Sequence, residues 1–249
     1  MRLFACDFDG TLSRNGEVSR ASLEAIDAFR ERGGIFGIVS GRPASFAPQL
    51  LEMLPGKLDF VLCCTGAVLA DADGGCEELA CYSADTAAQL CGFARETGAS
   101  FAGLQHAFRF CGAELDDPEA GAVISGFLER NGRVNQTNFR YASENAAAEA
   151  AERIGERFGA LVNPQQNGAF VDVPPAGTDK AEGVRRVAER FGVSESFIYA
   201  AGDNENDLSM AEAFHGFAMA HGVRRLKEKA EFVVADVAEA IQIILKNSG

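Results

Sequence analysis

The feature that most constrains this fold is an alternation. Short apolar runs, each followed by a polar loop and then a helical pattern, recur at both ends of the chain. Leu3 to Phe8 is apolar apart from Asp7 and reads as a strand. From Ser19 to Arg32 the pattern is helical: Leu23, Ile26 and Phe29 fall on one face, Ser19 can cap the start, and Gly33-Gly34 supplies the stop. Ile35 to Val39 is the next strand, with Pro43 suited to the first position of a new helix, and the strand-loop-helix pattern repeats with Phe60 to Cys63. The last 70 or so residues behave alike, with a helix from about Thr178 to Phe191, an apolar run from Phe197 to Ala201 and a final helix from about Asp236 to Leu245. Such alternation predicts a mainly parallel sheet with helices on both faces, and ligands beyond the carboxyl ends of its strands.

Residues 83–175 follow a different pattern. Helices are predicted near Asp85 to Thr97, Pro118 to Arg130 and Glu144 to Phe158. Short strands are predicted around Ser100 to Leu104, Phe108 to Cys111, Leu161 to Asn163 and Ala169 to Val173. Asp73-Gly74-Gly75 precedes this stretch and Pro174-Pro175-Ala176-Gly177 closes it, both with turn composition. The expected fold is α/β: a doubly wound, mainly parallel, Rossmann-like sheet core from 1–82 and 176–249, with an inserted α+β domain at 83–175.

Charge narrows the partners. The formal net charge is -13, and the insert, with seven basic and twelve acidic residues, shares the negative excess with the core. Nucleic acid and anionic membranes are therefore not expected as partners. No run approaches the 18 or so apolar residues of a membrane span, and Asp7 comes too early for a signal peptide. A cytoplasmic monomer or small homo-oligomer is the expectation. The seven cysteines form no Cys-x-x-Cys pair and read as free thiols rather than a zinc site.

Four stretches carry the chemistry, and all fall at strand-loop-helix junctions. Asp7-Phe8-Asp9-Gly10-Thr11 ends the first strand, and Asp7 and Asp9, two apart, point to one side of the chain. Alone, the pentapeptide also fits an Asp-Gly turn. Gly202-Asp203-Asn204-Glu205-Asn206-Asp207 follows another strand, where Asp203 or Asn204 could simply cap a helix. Neither stretch fits a helix-loop-helix Ca2+ loop, whose twelfth position requires Glu; here Val18 and Phe214 stand there. Ser40 ends a third strand, where its hydroxyl and the following N–H groups could cap a helix or receive a phosphate oxygen. Lys180, taken alone, reads as a solvated lysine in a first helical turn.

Together these four stretches resemble the haloacid dehalogenase superfamily, in particular its Cof-type sugar phosphatases. The matching segments are Asp7-Phe8-Asp9-Gly10-Thr11, Ser40-Gly41-Arg42, Thr178-Asp179-Lys180-Ala181 and Gly202 to Met210. The resemblance implies a Mg2+-dependent phosphatase acting on a small phosphorylated metabolite, with 83–175 as the cap. It implies Asp7 as nucleophile and Asp9 as general acid and base, with the pKa of Asp9 raised relative to that of Asp7. Mg2+ is expected on Asp7, Asp9 through its carbonyl, and Asp203, with Asp207 in the metal site and Asn206 steadying it. Ser40, Lys180, Thr11, Gly41, Arg42 and Asn206 are the implied substrate contacts. Relatives usually carry Asn where this chain has Thr65. In the cap, Gln105, His106, Arg109 and Asn167-Gly168 are candidate contacts. Return of the phosphoryl group to a sugar hydroxyl, as in a phosphomutase or phosphotransferase, and a non-enzymatic phospho-acceptor switch are the competing readings.

Overall fold

Eight strands line up in the order Phe232–Val234, His215–Met219, Ile198–Gly202, Leu3–Cys6, Ile35–Val39, Phe60–Cys63, Val68–Asp71 and Cys76–Glu78 in the computed structural model. The structure describes residues 1–71 and 75–246, so Asp73-Gly74 of the expected turn lie outside the described residues. The first six strands are parallel. The last two form an antiparallel extension.

Side chains alternate along a strand, and here both faces are covered. Phe4 and Cys6 join one buried cluster with Ile26 and Phe29 of the helix Arg20–Glu31 and Ile241 and Ile244 of Val237–Lys246. Leu3 and Ala5 join another with Val184 and Val187 of the helix Lys180–Phe191 and Met210 of Leu208–Ala213. Burial on both faces explains why these strands read as unbroken apolar runs.

Around the parallel sheet, local expectations fail in three places. Phe60–Cys63 leads not into a helix but into the turn Cys64–Gly66 and the antiparallel strand Val68–Asp71. Pro43 caps the 3-10 turn Ala44–Phe46, ahead of a helix that begins at Ala47. His215–Met219 and Phe232–Val234 extend the sheet where the sequence suggested no strand, the first carrying Gly216, which weakens a strand signal.

A second, wholly antiparallel sheet runs Arg109–Glu114, Phe101–His106, Gln136–Arg140, Phe170–Val173, Gln165–Asn167. One face buries Ala102, Leu104, Phe139, Val171 and Val173 against Leu90, Phe127 and Ile154 of the helices Ala84–Glu96, Ala120–Asn131 and Glu144–Phe158. By alternation the opposite face holds Gln105, Gln136, Asn138, Asn167 and Asp172. The expected strand at Leu161 to Asn163 is absent: Val162 makes only an isolated bridge to Pro175, and the strand forms at Gln165–Asn167. The α/β core with an inserted α+β cap is the fold class expected. No helix among the described residues is long and apolar enough to cross a membrane.

Candidate active site

The site assembles at the carboxyl ends of the parallel strands. Asp7 leaves Leu3–Cys6 with its N–H bonded to the Ala201 carbonyl (2.9 Å), which locks it beside the strand that delivers Asp203. Gly10, at φ +87°, turns the chain, and a side chain there would collide with the Asp203 carboxylate, its Cβ falling 2.4 Å from Oδ2. The Thr11 hydroxyl donates to Asp203 Oδ1 (2.8 Å). Oxygens of Asp7, Asp203 and Asp207 all lie within 4.8 Å of one another.

Lys180 sits at the centre, wholly buried at the first position of its helix, with Asp179 capping the end. Its ammonium donates to Asp7 Oδ1 (2.7 Å) and Asp207 Oδ1 (2.5 Å). The solvated lysine that its local sequence suggests is therefore not what the fold makes. Close approach of that helix requires two glycines: a Cβ on Gly66 would lie 2.4 Å from the Asp179 carbonyl oxygen, and one on Gly183 2.8 Å from Gly66 Cα.

Asp207 acts as a brace. Its second oxygen accepts from the N–H groups of Asp203 (2.9 Å) and Asn204 (3.0 Å), while the Asn204 side chain accepts from Glu205 N. Both Asp207 oxygens are thus committed to protein donors.

Three carboxylates around one ammonium leave a surplus of negative charge. With the protein's own charges alone, burial, assisted by Asp207 and Asp203 and opposed by Lys180, pushes the Asp7 carboxyl up to about 8. Asp203 is also raised, by burial first, against the Thr11 hydrogen bond. Burial would lower Lys180, but Asp207 and Asp7 outweigh it and raise the ammonium above its ordinary range. A cluster of hard oxygen donors with uncompensated charge is chemically suited to a divalent cation such as Mg2+.

Asp9 lies apart from this cluster. Its carboxylate, about half exposed, accepts both Arg42 Nε (2.6 Å) and Arg42 Nη2 (2.7 Å), while the guanidinium stacks 4.1 Å from the centre of the Phe46 ring. Asp7 thus faces the buried Lys180, whereas Asp9 meets the exposed guanidinium of Arg42. Ser40 is buried, and its Oγ accepts from the Arg42 N–H (3.1 Å).

Asp7, Asp9, Ser40, Gly41, Arg42, Asp203 and Asn206 share one small cleft with Asn204 and Asn167. Lys180, Asp207 and Thr11 stand directly behind its wall, each bonded to Asp7 or Asp203.

The sequence model of the haloacid dehalogenase-like hydrolases matches residues 4–241. The chain belongs to this family. A phosphoglycolate phosphatase of Archaeoglobus fulgidus is 28% identical over 256 residues, covering 98% of this chain and 96% of that protein. A 5-amino-6-(5-phospho-D-ribitylamino)uracil phosphatase of Bacillus subtilis is 41% identical over 65 residues, 26% of this chain and only 23% of that protein. A phosphatase of the superfamily from Bacteroides thetaiotaomicron superposes with a TM-score of 0.79 at 25% identity, covering 100% of this chain and 94% of that one. A subclass IIB sugar phosphatase, at 18% identity, TM-score 0.78 and coverage of 100% and 99%, shares the fold.

Of the cap residues singled out from sequence in this haloacid dehalogenase-like hydrolase, only Asn167 lines the cleft, reached by Asn204 Nδ2 (3.3 Å). Gly168 makes the turn beside it, at φ +58°. Gln105 is buried and takes the Cys64 thiol hydrogen (2.8 Å). His106 faces Glu78, and Arg109 donates to Asn131. Sequence reasoning missed Asp172, which is buried and accepts from Asn167 Nδ2 (3.2 Å). Burial pushes its carboxyl up to about 6, against the Asn167 hydrogen bond and the Lys180 charge. A lone acid inside the apolar stretch Phe170–Val173 was the available signal.

Proposed function

We propose that this enzyme is a Mg2+-dependent phosphatase that hydrolyses a small phosphorylated metabolite, a sugar phosphate by class, through an aspartyl-phosphate on Asp7. The observation that carries the proposal is the buried Lys180 bridging Asp7 and Asp207 beside Asp203 and Ser40, four distant stretches of chain meeting at one rim. Phosphate monoesters resist anionic attack, and enzymes accelerate such hydrolysis by up to ~10^21. Positive charge must therefore stand at the phosphoryl group. Asp7, Asp203 and the Asp9 carbonyl would hold Mg2+, which when bound offsets the surplus carboxylate charge and the charge of the phosphoryl oxygens.

In the first half-reaction an Asp7 oxygen bonds to phosphorus as the bond to the leaving oxygen breaks, and Asp9 supplies the proton that the leaving alkoxide takes up. Asp9 must part from Arg42 and gain a proton first. Lys180 has three hydrogens and spends two on Asp7 and Asp207, which leaves the third for a phosphoryl oxygen. Ser40 and the Gly41 N–H hold the others. In the second half-reaction Asp9 takes a proton from water as its oxygen bonds to phosphorus, and Asp7 leaves as carboxylate with phosphate released.

Residues 83–175 are assigned as the cap that selects the leaving group. The amides of Asn167, Asn204 and Asn206 and the absence of aromatic rings among the cleft-lining residues support a hydroxyl-bearing leaving group. A phosphate-release screen over sugar phosphates, nucleotides and phosphorylated acids, with Mg2+ and with chelator, tests the reading. Activity that survives full metal removal, or transfer to a sugar with no free phosphate, sinks it.

A further inference from the structure

The loop that carries Ser40 is held partly from the cap. Three successive carbonyls, of Ser40, Gly41 and Arg42, accept hydrogen bonds from Thr65 N (3.1 Å), Gln136 Nε2 (2.9 Å) and Cys64 N (2.9 Å). Two of those donors are core backbone. The third is a side chain from Gln136–Arg140, the middle strand of the antiparallel sheet.

Gln136 is completely buried, and both atoms of its amide are engaged. Its Oε1 accepts from the Thr65 hydroxyl (2.6 Å) while Nε2 reaches Gly41. An amide whose oxygen faces a hydroxyl donor and whose nitrogen faces a carbonyl has one satisfied orientation, because flipping it would oppose like groups on the Gly41 side. Thr65 is costly to place there. It and Cys64 adopt consecutive left-handed conformations, at φ +54° and +53°, a region that a β-branched side chain avoids and that persists only where the surroundings enforce it. The strain aims the Thr65 hydroxyl at the cap.

The consequence travels one peptide further. The Gly41–Arg42 link is planar, so pinning its carbonyl also fixes the N–H on the opposite edge. That N–H donates to Ser40 Oγ. With the Oγ taken as acceptor, the Ser40 hydroxyl hydrogen is left as the donor for a phosphoryl oxygen.

Building on the proposed function, we infer that Gln136, oriented by Thr65, is a positioning residue for the Ser40 hydroxyl, so that the cap contributes to the rate of phosphoryl transfer as well as to the choice of leaving group.

A double-mutant cycle with p-nitrophenyl phosphate and Mg2+ tests this. Gln136→Leu is expected to lower kcat by about 10-fold or more with a smaller change in KM, and Ser40→Ala to lower it at least as far. The double variant should be no slower than Ser40→Ala alone. In Gln136→Leu the Arg42 amide should also exchange its hydrogen with solvent faster, a readout independent of turnover. Losses that multiply in the double variant, an effect confined to KM, or unchanged exchange at Arg42 would each overturn the inference. Should Gln136→Leu fail to fold, Thr65→Val, which keeps the branched shape and loses the hydroxyl, enters the same cycle, with Thr65→Ser expected to restore the rate. Asp7→Asn separates the two levels: if it still releases phosphate, the proposed function falls and this inference with it. If it is inert while the losses multiply, only the role of Gln136 falls.

Discussion

The two sheets of this molecule treat their faces differently. The parallel sheet buries apolar side chains on both sides and keeps its polar chemistry at the strand ends, where Asp7, Ser40 and Asp203 emerge. The antiparallel sheet buries one face on its helices and directs amides and one acid of its other face toward the core. The first arrangement isolates the reacting groups from the scaffold. The second makes the scaffold itself part of the interface, so its polar side chains must find partners across a gap between two separately packed bodies.

That contrast can be broken by substitution. The largest stability effect is expected at the core site: Lys180→Met removes the only cation among the described residues bonded to Asp7 and Asp207, leaving buried carboxylates uncompensated, and should cost about 3–5 kcal/mol in urea unfolding. A loss below 1 kcal/mol would mean that the carboxyls take up protons instead. On the apolar face of the cap, Phe139→Ala should cost about 3–4 kcal/mol through the cavity it leaves. A small loss there would show that the antiparallel sheet is not anchored by that face.

The polar face of the cap should behave in the opposite way. Asp172 is raised to about 6 in the folded chain by burial, above its ordinary carboxylate value, so its stabilising contribution is complete below about pH 4 and is lost as pH rises through about 6. Asp172→Asn should therefore stabilise the protein by about 1–3 kcal/mol at pH 8, with the gain fading below pH 4. Thermal melts of both proteins across that range check the sign, and a gain that grows toward low pH contradicts it. The smallest effect is expected at Gln105, whose Nε2 is buried without a partner among the described residues. Gln105→Met should change stability by less than about 1 kcal/mol, toward greater stability. A loss of about 2 kcal/mol or more would mean that its bond to Cys64 matters more than the unpaired amine.

The same contrast explains what could be read from the sequence. Leu3–Cys6, Ile35–Val39 and Ile198–Gly202 are buried on both faces and announce themselves as apolar runs, and the polar loops that follow them are visible for that reason. Gln136–Arg140 is the middle strand of its sheet yet reads Gln-Thr-Asn-Phe-Arg, because half of it faces a polar interface and only Phe139 is a large apolar residue. It left no periodic signal. Lys180 was legible as a motif position but not as a buried ion, since its burial depends on Asp7 and Asp207, distant in the chain. The pairing of Arg42 with Asp9 was invisible for the same reason: nothing within Ser40-Gly41-Arg42 says which carboxylate a guanidinium will meet.

Gly66 and Gly183 sit back to back where the Lys180 helix meets the turn after Phe60–Cys63, and neither has room for a methyl group. The depth at which the ammonium enters the carboxylate cluster is therefore set by bare backbone on both sides. Side-chain repacking elsewhere has no means of restoring that distance, so the position of the Lys180 ammonium hangs on two residues that bear no functional group at all.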